Sequence, residues 1–125
     1  MRILVVDDEV LLRHLLVSFL FRLGHQHVIE ASGVRVALEL FNRHPVDLVI
    51  TDWNMPIHTG KDLIKGIRSR GNEEVHFLVT SGSAVGANDL EELGLDHSNF
   101  IAKPFNLRVL ETKIQRLSGE ADPAT

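Results

Sequence analysis

The feature that most constrains this chain is a series of short, β-branched-rich apolar runs. Each ends on a polar residue and is followed by a segment of helical period. Ile3 to Val6 runs into Asp7 and Asp8, Val46 to Thr51 delivers Asp52, Val75 to Thr80 ends on a hydroxyl, and Phe100 to Ala102 precedes Lys103 and Pro104. Runs of this length and composition read as strands buried on both faces. Strands that alternate with helices over short connections pair in parallel, because the right-handed βαβ crossover is the dominant way to link them. The expected architecture is an α/β fold with a parallel sheet covered on both sides.

The intervening segments fit that frame. From Glu9 onward, Leu12, Leu15, Leu16, Phe19 and Leu23 recur at helical spacing, and Gly24 stands where the helix would end. His27 to Glu30 reads as a weaker second strand. Ser32 can cap a second helix with a buried stripe of Val34, Ala37, Leu38 and Phe41, stopped by Pro45. Thr59 can cap a third helix through Leu63, Ile64 and Ile67, although Gly66 inside it costs about 1 kcal/mol against alanine. The small residues from Ser81 to Ala87 predict a mobile loop, and a short helix is expected from about Asn88 to Leu93. Asn106 can cap a last helix that buries Leu107, Leu110, Ile114 and Leu117.

The 125 residues, 44% of them hydrophobic, suffice for one domain and its core, placed at residues 1–118 with a flexible tail over 119–125. A formal net charge of −4 gives no general attraction to nucleic acid or anionic membranes. Any DNA binding would come from another chain. Cysteine is absent, which excludes disulfide, thiolate-metal and cysteine-nucleophile chemistry. The apolar runs are too short to span a bilayer, and Met1-Arg2 leads straight into a strand rather than a secretory signal. A cytoplasmic protein is the expectation.

In an open parallel sheet, ligands bind beyond the carboxyl ends of the strands. Read off in order, those ends supply Asp7, Asp8, Asp52, Thr80 and Lys103. Each has an ordinary structural use: Asp8 as a helix cap, Asp52 in an Asx turn over Trp53-Asn54-Met55-Pro56, Thr80 as a good strand residue. Lys103 is the exception, because a cation just before a helix amino terminus faces the positive end of the macrodipole, so an anionic group is expected beside it. Two carboxylates about 4 Å apart repel by roughly 4 kcal/mol at an effective dielectric near 20, and a third adds to that. Such a cluster takes up a proton or a cation. With only aspartate oxygens on the rim and no histidine or cysteine, magnesium is the expected occupant. Asp52 could then act as an oxygen nucleophile toward phosphorus, with Lys103 and the metal neutralising the transferring group and Thr80 donating to it.

These residues resemble the receiver domains of two-component response regulators, over residues 1 to about 117. The matching motifs are Leu4-Val5-Val6-Asp7-Asp8-Glu9, Asp52-Trp53-Asn54-Met55-Pro56 with Gly60 beyond it, Val79-Thr80-Ser81-Gly82, and Phe100-Ile101-Ala102-Lys103-Pro104-Phe105. Around the phosphoacceptor the string is similar to that of chemotaxis response regulators. The resemblance implies a flavodoxin-like, doubly wound sheet of five strands in the order 2-1-3-4-5 with five helices. It implies that a sensor histidine kinase or histidine phosphotransfer protein phosphorylates Asp52. Magnesium would be held directly by Asp8, Asp52 and the backbone carbonyl of Asn54, and by Asp7 through water. Lys103 would pair with the phosphoryl group, behind a cis Lys103-Pro104 bond, and Thr80 with Phe100 would form the switch. Helix four, strand five and helix five would then signal to a downstream effector, on a face that can also support a phosphorylation-dependent homodimer.

The chain departs from the family in places. It has no tyrosine, so a switch that uses a phenol hydroxyl at position 100 is unavailable. Gly82 stands where a side chain often tunes dephosphorylation. The segment from Ser83 to Asn99 matches chemotaxis regulators poorly, so binding to a flagellar motor is not implied. Elsewhere, His25 and His27 could pair on one strand face but lack a third ligand. Glu91 and Glu92 read as a solvated helix face, and Arg108, Lys113 and Arg116 could meet an acidic partner or simply keep the last helix in water. A magnesium-dependent phosphatase of the haloacid dehalogenase type is the enzymatic alternative, but many of those enzymes need a second aspartate where Asn54 stands. A receiver-shaped interaction module that is never phosphorylated is a third reading. Flavin binding is weaker, since the turn after strand one is acidic rather than rich in glycine, serine or threonine.

Overall fold

The computed structural model describes residues 1–71 and 74–119. Five strands, β1 (Arg2–Val6), β2 (His27–Ala31), β3 (Leu48–Asp52), β4 (His76–Ser81) and β5 (Phe100–Ala102), form one parallel sheet in the order β2-β1-β3-β4-β5. Five α-helices connect them: α1 (Val10–Arg22), α2 (Val34–Arg43), α3 (Gly60–Arg68), α4 (Ala87–Glu92) and α5 (Leu107–Ser118). The flavodoxin-like, doubly wound expectation is borne out.

Alternation along each strand divides the apolar side chains between the two faces. Ile3, Val5, Leu48, Ile50, Leu78 and Ile101 face α1 and α5, where Leu16, Leu20, Leu110 and Ile114 meet them. Leu4, Val6, Val49, Phe77 and Val79 pack on the other side with Ala37 of α2, Leu63, Ile64 and Ile67 of α3, and Leu90 of α4. β3 is buried along its whole length, so the sheet centre carries Asp52 directly on a core strand.

Several boundaries move by one or two residues. β3 begins at Leu48; Asp47 before it accepts the Arg2 N–H on its carboxylate at 2.7 Å and donates its own N–H to the Arg2 carbonyl at 2.9 Å. β4 is shifted to His76–Ser81, and a short 3-10 turn, His97–Asn99, capped by Asp96, precedes β5. Ser32 does not cap α2: Gly33 occupies the N-cap position, with no side-chain cap. Of the expected α2 stripe, Val34 and Ala37 are buried while Leu38 and Phe41 are half-buried. α1 buries Leu16 and Leu20 and leaves Leu11, Leu15 and Phe21 exposed, so this helix is apolar on its outer surface as well. Thr59 caps α3 in a reciprocal pair with Asp62, and Asn106 accepts the Val109 N–H at the head of α5. A Cβ at Gly66 would lie 3.2 and 3.3 Å from the Leu38 methyl carbons, so the glycine lets α2 and α3 approach closely. The expected tail lies outside the described residues beyond Gly119.

One backbone position is strained. Ile57 has φ +70°, the only non-glycine residue among those described with positive φ, and the His58 N–H closes a three-residue turn around it onto the Pro56 carbonyl at 2.8 Å. A β-branched residue is costly there, by about 1–2 kcal/mol, and Ile57 is 94% exposed, so no packing offsets the cost. Ile57→Gly should therefore raise the unfolding free energy by about 1 kcal/mol, since glycine has no Cβ to clash in this conformation. Urea denaturation of the two chains measures it, and an unchanged or lowered midpoint would contradict the strain.

Candidate phosphoacceptor site

The site is assembled from four strand ends. β1 ends at Val6 and leads into Asp7 and Asp8, β3 ends on Asp52, β4 carries Thr80 and Ser81, and β5 leads into Lys103. Register brings them together: Val6 pairs with Thr51, Asp52 with Thr80, and Ser81 with Ala102. Carboxylate oxygens of Asp7, Asp8 and Asp52 all lie within 4.8 Å of one another, the only such group of potential ligands among the described residues. Among the described residues, no such group includes His25 or His27. The cis Lys103-Pro104 bond is present, and the Lys103 N–H donates to the Ser81 carbonyl at 2.8 Å.

Asp7 and Asp52 are buried, at 3% and 5% exposure, whereas Asp8 is half-buried. Asp8 does not cap α1. Glu9 holds the N-cap position without a side-chain cap, and its N–H donates to Asp7 Oδ1 at 2.9 Å. The β1–α1 turn is further fixed from α1, where Arg13 Nη1 donates to the Asp7 carbonyl at 2.8 Å and Arg13 Nε to Glu30 at 3.2 Å. The sequence reading missed this brace, whose only signal was a cation one helical turn beyond Glu9.

Lys103 Nζ lies 3.2 Å from Asp7 Oδ2 and 3.3 Å from Asp52 Oδ2. Burial works against its charge, but the charges and hydrogen bonds of Asp7 and Asp52 outweigh that and hold the ammonium above its ordinary pKa. Burial also pushes the Asp52 carboxyl above its ordinary value; Lys103 and the Asn54 N–H pull it down, and the charge on Asp7 adds to the rise. The two shifts are consistent because one ammonium serves two buried carboxylates. With Asp8 nearby, the centre has one positive charge against three carboxylates and is short of cation. This donor set of hard oxygens fits a magnesium ion, which would relieve the shortage.

α3 approaches Asp52 closely. A Cβ at Gly60 would fall 2.7 Å from the Asp52 carbonyl oxygen and 3.1 Å from Trp53 Cα, and the Gly60 N–H donates to the Trp53 carbonyl at 2.9 Å. Trp53 in turn donates its N–H to the Thr80 carbonyl at 2.8 Å. Thr80 is buried and sits opposite Ile101 in the β4–β5 register, while Phe100, the partner of Val79, packs on the other face of the sheet with the α2–α3–α4 core. Glu91 and Glu92 are exposed, as a solvated helix face requires, and Lys61 of α3 pairs with Glu92 across that face and lies 3.8 Å from Asp89. Lys113 reaches back to the His97 carbonyl at 2.9 Å.

The sequence model of the response regulator receiver domain matches residues 3–115. The chain belongs to the response regulator receiver family. Chemotaxis protein CheY1 of Helicobacter pylori is 35% identical over 124 residues, covering 98% of this chain and all of that protein. The crystal structure of the chemotaxis protein CheY4 of Vibrio cholerae superposes with a TM-score of 0.85 at 26% identity, covering 93% of this chain and 97% of that one. The receiver domain of Saccharomyces cerevisiae Ssk1, solved in complex with the histidine phosphotransfer protein Ypd1, shares the fold with a TM-score of 0.75 at 22% identity, over 94% of this chain and 88% of that one. The receiver is thus a module of two-component signalling. None of its described helices is long and apolar enough to cross a membrane.

Proposed function

We propose that the receiver takes a phosphoryl group onto Asp52 from a histidine kinase or a histidine phosphotransfer protein, in a magnesium-dependent reaction, and signals the change through α4, β5 and α5. The observation that carries this reading is the single ammonium of Lys103 set between two buried carboxylates, with a third within reach of a shared ion. Asp8, Asp52 and the Asn54 carbonyl would hold the ion directly, and Asp7 through water. A bound magnesium ion supplies positive charge against the oxygens of the transferring group.

The chain's own residues supply the rest. An Asp52 oxygen forms the new bond to phosphorus as the bond from phosphorus to the donor's imidazole nitrogen breaks; that nitrogen keeps the bonding pair, and the imidazole leaves neutral with the proton already on its other ring nitrogen. Lys103, already beside Asp52, follows the charge to the phosphoryl oxygens. The Thr80 hydroxyl donates to the product, and Phe100 moves with it, which changes the α4–β5–α5 surface read by an effector. The partner class is supported by the Ssk1 receiver, which shares the fold and was crystallised with a histidine phosphotransfer protein.

Trp53, the only tryptophan, is half-buried next to Asp52 and tests this directly. Magnesium should alter its fluorescence, and beryllium fluoride, a phosphoryl mimic, should alter it again once magnesium is saturating. In Asp52→Asn the second step should be absent. A second step that survives in Asp52→Asn would move the chemistry to another residue.

A further inference from the structure

The phosphoacceptor loop and the loop after β4 are joined by a side-chain triangle that the proposed chemistry leaves unused. Asn54, two residues past Asp52, donates from Nδ2 to Ser81 Oγ at 3.3 Å and to Ser83 Oγ at 3.2 Å. The two serine hydroxyls lie 3.2 Å apart, and the Ser83 N–H donates to Ser81 Oγ at 3.1 Å. Ser81 is buried next to Thr80, while Ser83 and Asn54 are exposed. At Gly82, between the serines, a Cβ would meet nothing within 4 Å, so position 82 faces open space and takes no part in the triangle.

An asparagine amide has two N–H donors, and here both are spent on serines. The same residue's backbone N–H points to Asp52 Oδ1 at 3.4 Å, so the amide is tethered close to the acceptor while its side chain is tied toward the β4–α4 loop. We propose that Ser83 is a positioning residue: by holding the Asn54 amide aside, it keeps the outer face of phosphorylated Asp52 open to water and so sets the lifetime of the acyl phosphate.

Hydrolysis requires a water oxygen to bond to phosphorus in line with the departing Asp52 oxygen. The carboxylate leaves with its negative charge, and both protons of the water remain on the dihydrogen phosphate released. Loss of the Ser83 hydroxyl frees one amide N–H, which can pivot about Ser81 and donate to a phosphoryl oxygen. The amide then lies across the approach of water. The inference rests on Asp52 being the phosphoacceptor.

The test is a double-mutant cycle on the decay of the radiolabelled phosphoryl group, loaded from a small acyl phosphate in magnesium. Ser83→Ala should lose label at least threefold more slowly than the parent chain, Ser83→Thr should keep the parent rate, and magnesium titration of Trp53 should give the same affinity in all three. In an Asn54→Ala background, Ser83→Ala should have no further effect. Loaded chains that decay alike, or a Ser83→Ala effect that persists without the Asn54 amide, would overturn the assignment and leave the phosphoacceptor reading intact. A parent chain that never takes up label would overturn both.

Discussion

Asp52→Asn should carry no acyl phosphate after incubation with a radiolabelled small acyl phosphate and magnesium, a loss of at least 100-fold against the parent chain. An amide is a poor nucleophile, and Asp7, held by Lys103 and the Glu9 N–H, is already committed elsewhere. Label that persists at a comparable level would place the acceptor on another residue. The same substitution should stabilise the metal-free fold by about 1 kcal/mol at pH 7, because it removes one of two buried carboxylates that share a single ammonium. The sign follows from the raised pKa of Asp52. An aspartate whose pKa is higher folded than unfolded opposes folding when ionised, and that opposition fades as pH falls through the folded value. The advantage of the Asp52→Asn chain in urea denaturation should therefore shrink toward pH 4 and also when magnesium is added.

Lys103→Met should have the opposite effect on stability. Without the ammonium, the Asp7 and Asp52 side chains, only 4% and 7% exposed, face each other uncompensated. Removing one partner of a buried pair costs about 3–5 kcal/mol in general, and the lower end, about 3 kcal/mol, applies here because Lys103 retains 17% exposure. The loss should be full at pH 7, shrink as the carboxylates take up protons in acid, and be largely recovered in saturating magnesium. On the alkaline side, the Lys103 contribution in the parent chain stays complete up to about pH 10.4, the ordinary lysine value, and is lost as pH rises through its higher folded value. A destabilisation indifferent to both pH and magnesium would mean that the lysine stem acts only by packing.

Much of this architecture was legible in the order of residue types. Runs such as Leu4-Val5-Val6 and Val49-Ile50 announce strands buried on both faces, and the polar residue after each run identifies the rim without knowledge of strand order. The order itself came from family resemblance, because periodicity does not say which strands are neighbours. Strand ends were off by a residue or two, as at Asp47 and Leu48, because apolar pattern does not mark where ladder pairing begins. Ser32 looked like the better cap by type, yet the chain enters α2 through Gly33, a matter of local backbone path that composition does not encode. Within the site, the acids and the lysine were visible because charge beside a strand end is unusual. The Asn54–Ser81–Ser83 triangle was not, since small polar residues in a loop carry no periodicity and their partners lie across the sheet.

β5 has only three residues in register with β4, yet it alone brings in the ammonium. A slip of one residue would carry Lys103 about 3.3 Å along the strand and turn its side chain to the opposite side of the sheet. Fraying of this short outer strand would thus strip the acids of their counter-charge, and whatever clamps that edge, a docked protein included, would tune how readily the aspartates accept a cation.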